Sequence, residues 1–176
     1  MSVRRSAGSF AAGECVVYKN NGICRVTDLQ KRKFAGEERD YYVLDSIFDP
    51  HSTWYVPVDS PELTSSMSRI LSPDEIDLAI AQSLLLGEIW TDGFKERSEL
   101  YSDVLKSGDR ARMIALYRTL CARRDEAEKN RRKLYVSDER ALRTAEKMIS
   151  EEFSYALGIQ RSEVAQYIAG KVGEAV

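Results

Sequence analysis

Histidine occurs once and cysteine three times in the 176 residues, and that scarcity removes most of the side-chain chemistry a chain of this length could carry. His51 sits in the turn Asp49, Pro50, His51, Ser52, with no serine or cysteine motif to pair with it as a nucleophile, so it reads as a solvated turn residue. Cys15, Cys24 and Cys121 are odd in number and lack metal-ligand spacing. Two of them fall within an apolar strand pattern, which suits buried, reduced thiols and speaks against a zinc site or a catalytic thiolate. There is no glycine-rich phosphate loop and no Gly-x-Ser-x-Gly elbow. Carboxylates abound, but examples such as Asp125, Glu126 and Glu128 fall on a helix surface, where solvation accounts for them. The expectation is a protein with no catalytic residue, no metal site and no cofactor.

Long apolar runs are missing as well. The run Leu84, Leu85, Leu86 near the middle is far too short to span a bilayer, and Met1–Ser6 lacks the apolar segment of a signal peptide, so a cytoplasmic location is expected. Neither sign of charge dominates: 26 Lys and Arg stand against 28 Asp and Glu, a formal net charge of −2, which excludes a globally basic nucleic-acid binder. Charge is nonetheless local. Between Arg110 and Lys147 there are 12 cations and 6 acids, a candidate phosphate-facing surface. Its densest part, Arg123 to Lys133, equally suits an exposed helix end and loop held by mixed-sign pairs, and charge alone does not choose. Internal repeats are absent.

What is present divides near residue 60. Up to there the pattern has period two, with β-branched and aromatic residues: a strand entered from Phe10 to Tyr18, a turn at Asn20, Asn21 and Gly22, and a second strand beginning Ile23 to Val26. Ala35, Gly36 and Glu37 turn the chain into a third strand around Tyr41 to Leu44. A polar turn at Asp49 to Ser52 leads to a last strand, Trp54 to Val58, with Pro57 where a ladder can lose a donor. These strands are expected to close into one small β-barrel. From there the pattern turns to a period near 3.6, with Ser60 to Ser68 as a polar connector.

Ser72, Pro73, Asp74 and Glu75 form a capping box that starts a helix burying Ile76, Ile80 and Leu84 and stopping near Gly87. A second helix is expected from Thr91 or Asp92 to Ser107. Asp109 caps a third with the stripe Met113, Ile114, Leu116, Tyr117, Leu120 and Cys121. Ser137 to Glu139 starts a fourth, striped by Leu142, Ala145, Ile149, Phe153 and Leu157 and ending at Gly158, and Ser162 and Glu163 start a short terminal one. The fold class is therefore α+β: a β-barrel domain over 8–60, a connector over 61–71, and a compact helical domain of about five helices over 72–176.

The order and spacing of these motifs resemble the CarD/CdnL family of bacterial transcription regulators. The likeness rests on Phe10, Gly13, Glu14 and Val16 to Tyr18; on Asn21 to Val26; on Gly36 before Tyr41 to Leu44; and on Tyr55 to Asp59. It continues through Lys106 to Asp109 and Ser137 to Arg140, so it covers nearly the whole chain. The resemblance implies a Tudor-like barrel docking on the β subunit of RNA polymerase, and a helical domain meeting promoter DNA at the upstream edge of the transcription bubble. DNA would be met through the minor groove and phosphates with little base specificity, altering open-complex stability without turnover, by a monomeric protein that needs no membrane. A protein-binding adaptor that docks on the polymerase and recruits another factor is the alternative.

In that family an aromatic residue, usually tryptophan, wedges into the opening duplex, in a Trp-x-x-Arg pattern a fixed distance before the Ser-Gly-Asp of the next helix start. An ungapped match back from Ser107, Gly108 and Asp109 puts Phe94 and Arg97 in that pattern, while Trp90 lies one helical turn earlier. Phe94 is the positional candidate and Trp90 the chemical one, and either could instead be a core aromatic between the first two helices. Arg131, Arg132 and Lys133 are the phosphate-contact candidates. On the polymerase side Arg32 matches a basic family position, and Tyr55 stands where a second arginine is frequent. By strand alternation, one of Trp54 and Tyr55 should be core and the other free to meet the partner.

Overall fold

The computed structural model describes residues 10–174, which fall into two compact units divided between Ile70 and Leu71. Met1–Ser6, read above for a signal segment, and positions 8, 9, 175 and 176 of the expected domains lie outside the described residues.

The first unit is a five-stranded antiparallel sheet in the order β4-β3-β2-β1-β5, formed by β1 (Cys15–Tyr18), β2 (Ile23–Phe34), β3 (Glu37–Ser46), β4 (Thr53–Pro57) and β5 (Met67–Arg69). It is an open sheet, not the closed barrel expected from the strand pattern. Its two edges, β4 and β5, do not pair with each other. The edges are poorly suited to closure: β4 ends on Pro57, which has no N–H to donate, and β5 is three residues long. A fifth strand also arises where composition suggested only connector. Met67 to Arg69 pairs with Val16 to Tyr18, and Pro61–Thr64 forms a short helix, α1.

Strand β2 is bent by an irregularity at Thr27, whose hydroxyl donates to the Val43 carbonyl at 3.2 Å. Its far half pairs with β3 through to Phe34 opposite Glu37. The reversal there uses Ala35 and Gly36, at φ of 52° and 90°, the left-handed pair that a two-residue hairpin turn demands. One side of the sheet buries Val16, Tyr18, Cys24, Val26, Tyr42, Leu44, Val56 and Met67. Cys24 is buried and Cys15 half-buried.

The second unit contains α2 (Pro73–Leu85), α3 (Phe94–Ser107), α4 (Arg110–Lys129), α5 (Val136–Leu157) and α6 (Val164–Glu174). With α1, the described residues hold six α-helices rather than five, the extra one being the single turn that follows Ser60. The local stop and start signals act as their chemistry requires. Ser72 and Glu75 exchange the two bonds of a capping box, Asp109 accepts from the Arg112 N–H at 3.0 Å, and Gly108 and Gly158 end their helices at positive φ.

Three helix starts differ from expectation, the last being α6, which begins at Val164 after a 3-10 turn over Arg161–Glu163 rather than at Ser162. Helix α3 begins at Phe94 rather than Thr91 or Asp92, because the Thr91 and Asp92 carbonyls are taken by the Arg97 guanidinium. Helix α5 begins at Val136 with Tyr135 at its N-cap, one turn position ahead of Ser137.

Helix α4 is the centre of the second unit. Met113 and Ile114 join Ile76, Ile80, Ile149, Phe153, Val164 and Ile168, while Leu116 and Leu120 join Tyr101, Val104, Ala141 and Leu142. Each such large apolar side chain contributes about 1.5–3 kcal/mol by leaving water. Charges are buried here too. Glu152 takes two bonds from Arg110, at 3.0 and 3.1 Å, and one from the Leu71 N–H at 3.1 Å, tying the entrance of α2 to α5.

Candidate functional site

Two regions carry the candidate residues, one on each unit. On the sheet, Arg32 and Tyr55 share a face. Arg32 lies opposite Arg39 on β3, and Tyr55 lies opposite Val43 on the same strand, four residues further along. The Arg32 guanidinium stacks over the Tyr55 ring at 4.0 Å from its centroid, and its Nε donates to Gln30 at 3.0 Å. Gln30 in turn donates to Asp28 at 2.9 Å, so a polar ladder runs along β2 and aims the arginine. Tyr55 remains 39% exposed. Beyond it on this face, Phe34 is exposed and meets Tyr41 edge-on at 5.4 Å. Trp54 points the other way, half-buried against the core and edge-on to Tyr18 at 6.3 Å. Lys31 and Lys33 flank Arg32 as exposed cations.

In the helical unit the segment from Leu86 to Gly93 is fastened at several points. The Ile89 N–H donates to the Thr119 hydroxyl at 3.0 Å, and Glu88 pairs with Arg123 at 2.9 Å. Trp90 lies against two guanidinium groups, Arg97 at 4.4 Å and Arg123 at 4.5 Å from the ring centroid, and its indole N–H donates to Asp92 at 3.2 Å. It is half-buried against Tyr101, Leu116 and Leu120 and their neighbours.

Arg97, a candidate for DNA contact, is only 4% exposed. Its Nε donates to Asp138 at 3.0 Å and its Nη1 donates to the carbonyls of Thr91 and Asp92 at 3.1 and 3.2 Å. Asp138 is itself 1% exposed and also accepts from Tyr101 at 3.2 Å and Ser137 at 3.3 Å, all on one oxygen, while its Oδ2 has no partner among the described residues. Burial, together with the Asp138 carboxylate, pushes the Tyr101 hydroxyl well above its ordinary range, so it stays a donor. Removing one partner of a buried pair of this kind leaves the other charge uncompensated.

Phe94 has the opposite environment. It is the first residue of α3, behind Gly93 at the N-cap, and is 63% exposed. Arg131, Arg132 and Lys133 are exposed in the turn between α4 and α5 and form no ion pair among the described residues. Arg131 stands at φ 55°, with its N–H bonded to Glu128 O at 2.9 Å and the Arg132 N–H to Ala127 O at 2.7 Å. That pair of bonds is a Schellman motif with arginine where glycine is usual, at a cost of about 1 kcal/mol.

Sequence reading missed Arg123, Asp138 and Tyr135. Asp138 lies 41 residues from Arg97, and no local signal pairs them. No group of three or more His, Cys, Asp or Glu among the described residues could hold a metal ion, and no helix is long and apolar enough to cross a membrane. His51 is exposed, its N–H donating to Asp49 at 3.3 Å. Burial pushes the Cys121 thiol up, away from thiolate character.

Two family models account for most of the chain. Residues 10–71 match the CarD-like/TRCF RID domain, and residues 81–169, half of the chain by themselves, match the CarD C-terminal domain. No curated protein matches the chain at a significant level. With both domains matched in their order, the chain belongs to the CarD/CdnL family of RNA polymerase-interacting, non-enzymatic transcription factors.

Proposed function

We propose that the first unit docks on the polymerase β subunit through the face bearing Arg32 and Tyr55, while the helical unit meets promoter DNA at the upstream bubble edge and changes open-complex stability. The observation that carries the DNA half is the division of labour among the aromatics. Phe94 is exposed at a helix start, whereas Trp90 is held between Arg97 and Arg123. Phe94 is the wedge in this reading. An apolar ring inserted at a base step offsets lost stacking and favours the bent, opening duplex. Trp90 and Arg97 position it, Arg97 by fixing the carbonyls of the two residues before Gly93. Arg131, Arg132 and Lys133 supply salt-dependent phosphate contacts.

On the polymerase side, Tyr55 replaces an ionic contact with a ring whose face already carries the Arg32 cation. The partner surface therefore has to offer an acceptor for Arg32 and a flat apolar area for Tyr55. Trp54 supports this face from the core side of β4. The protein acts as a monomer. The test is a pull-down with purified RNA polymerase, comparing wild type with Arg32→Glu and Tyr55→Glu. Each variant should lose most of the retained protein, and full retention of both would move the docking surface elsewhere.

A further inference from the structure

The turn that joins α4 to α5 forgoes stability at two places within five residues. Arg131 takes a left-handed φ of 55° where glycine would be unstrained. Tyr135 occupies the N-cap of α5, where Ser, Asp or Asn would accept from a first-turn N–H, and its side chain makes no capping bond. Burial compensates neither residue: Arg131 is exposed, and Tyr135 is 69% exposed. Leu134 packs the turn onto the helices, half-buried against the Tyr101 and Leu142 cluster. Positions that break local rules without a packing return are where function is to be sought.

Chemistry says what function. Arg131, Arg132 and Lys133 present three cations with no ion pair among the described residues, and beyond Leu134 comes the exposed ring of Tyr135. That ring lies 5.7 Å from the Arg97 guanidinium, whose nearer aromatic neighbour is Trp90 at 4.4 Å. Tyr135 is thus braced by a buried, ion-paired arginine and keeps most of its surface open. Lys133 and Tyr135, two residues apart, are separated by at most about 7 Å of chain, a span that suits a phosphate and the base it carries.

We infer that Tyr135 is a stacking platform for an unpaired base, and that Arg131, Arg132 and Lys133 hold the backbone of the same single strand. Stacking of this kind is sequence-tolerant, because every base has a π face. The inference rests on the DNA contact proposed above and extends it from the duplex edge to a separated strand.

The test is fluorescence anisotropy on the full chain with a labelled oligo(dT) of about 15 nucleotides and a duplex of the same length. Tyr135→Ser should weaken single-strand binding by about tenfold, within the range for one stacked base. It should leave duplex binding unchanged and raise the thermal midpoint, since serine can cap α5. Tyr135→Phe should restore the single-strand affinity. Unchanged oligo(dT) affinity in Tyr135→Ser, or a Tyr135→Phe as weak as the serine variant, overturns the platform. Arg131→Ala with Arg132→Ala tests the underlying reading separately, and should weaken both DNA forms and flatten their salt dependence. Salt-dependent duplex binding beside an oligo(dT) affinity indifferent to Tyr135 would sink the platform alone. Absence of binding to either DNA form would sink both.

Discussion

An arginine stacked on an aromatic ring occurs in both units, with opposite surroundings. On the sheet, the Arg32 guanidinium covers Tyr55 at 4.0 Å, and the ring stays open to solvent. In the helical unit, Arg97 covers Trp90 at 4.4 Å, but the arginine is buried, ion-paired to Asp138 and bonded to two backbone carbonyls. The first pair can exchange its neighbours for a partner's groups. The second cannot, because freeing Arg97 would strand Asp138 in a dry site. Burial, rather than residue type, separates a contact surface from a fastening.

The comparison breaks most visibly at Asp138. Asp138→Ala should cost about 3–5 kcal/mol, read from the denaturant midpoint of the full chain, because it leaves Arg97 buried without its counter-ion. Arg32→Ala should cost less than about 1 kcal/mol by the same measurement, as expected for a cation–π contact beside solvent. Equal costs for the two would erase the distinction drawn between them.

A smaller effect sharpens the sheet side. Ala35 sits at φ 52° at the tip of the β2–β3 hairpin that carries Arg32. Ala35→Gly relieves left-handed strain but adds unfolded-chain entropy, so a net gain of about 0.5–1 kcal/mol is expected. Polymerase retention in the pull-down should stay at the wild-type level, since no side chain of the proposed docking face is changed.

These contrasts explain what could be read from the sequence. Helix boundaries set by local chemistry were legible: the Ser72 and Glu75 box, the Asp109 cap, the glycines at 108 and 158. The β strands up to Pro57 were legible from alternation, which put Trp54 and Tyr55 on opposite faces; that Trp54 is the one turned to the core depends on its tertiary neighbours. Elements made only by distant partners were not. Met67 to Arg69 has no strand composition of its own and is a strand because Val16 to Tyr18 lies beside it. Whether the sheet closes depends on pairing between β4 and β5, which local pattern does not encode. The candidate site divides in the same way. Phe94 and Trp90 both stood as candidates from the family pattern, and only tertiary neighbours distinguish the exposed ring from the half-buried one; the burial of Arg97 required Asp138, and Tyr135 gave no cap signal to mark it.

The claim that one chain bridges polymerase and opening DNA is tested most directly by open-complex lifetime on a linear promoter fragment, with polymerase retention measured in parallel. Phe94→Ala should abolish the protein's effect on lifetime while polymerase binding and the thermal midpoint stay at wild-type values, because the ring is exposed and packs against little. A Phe94→Ala protein that still changes lifetime as wild type does would contradict the account.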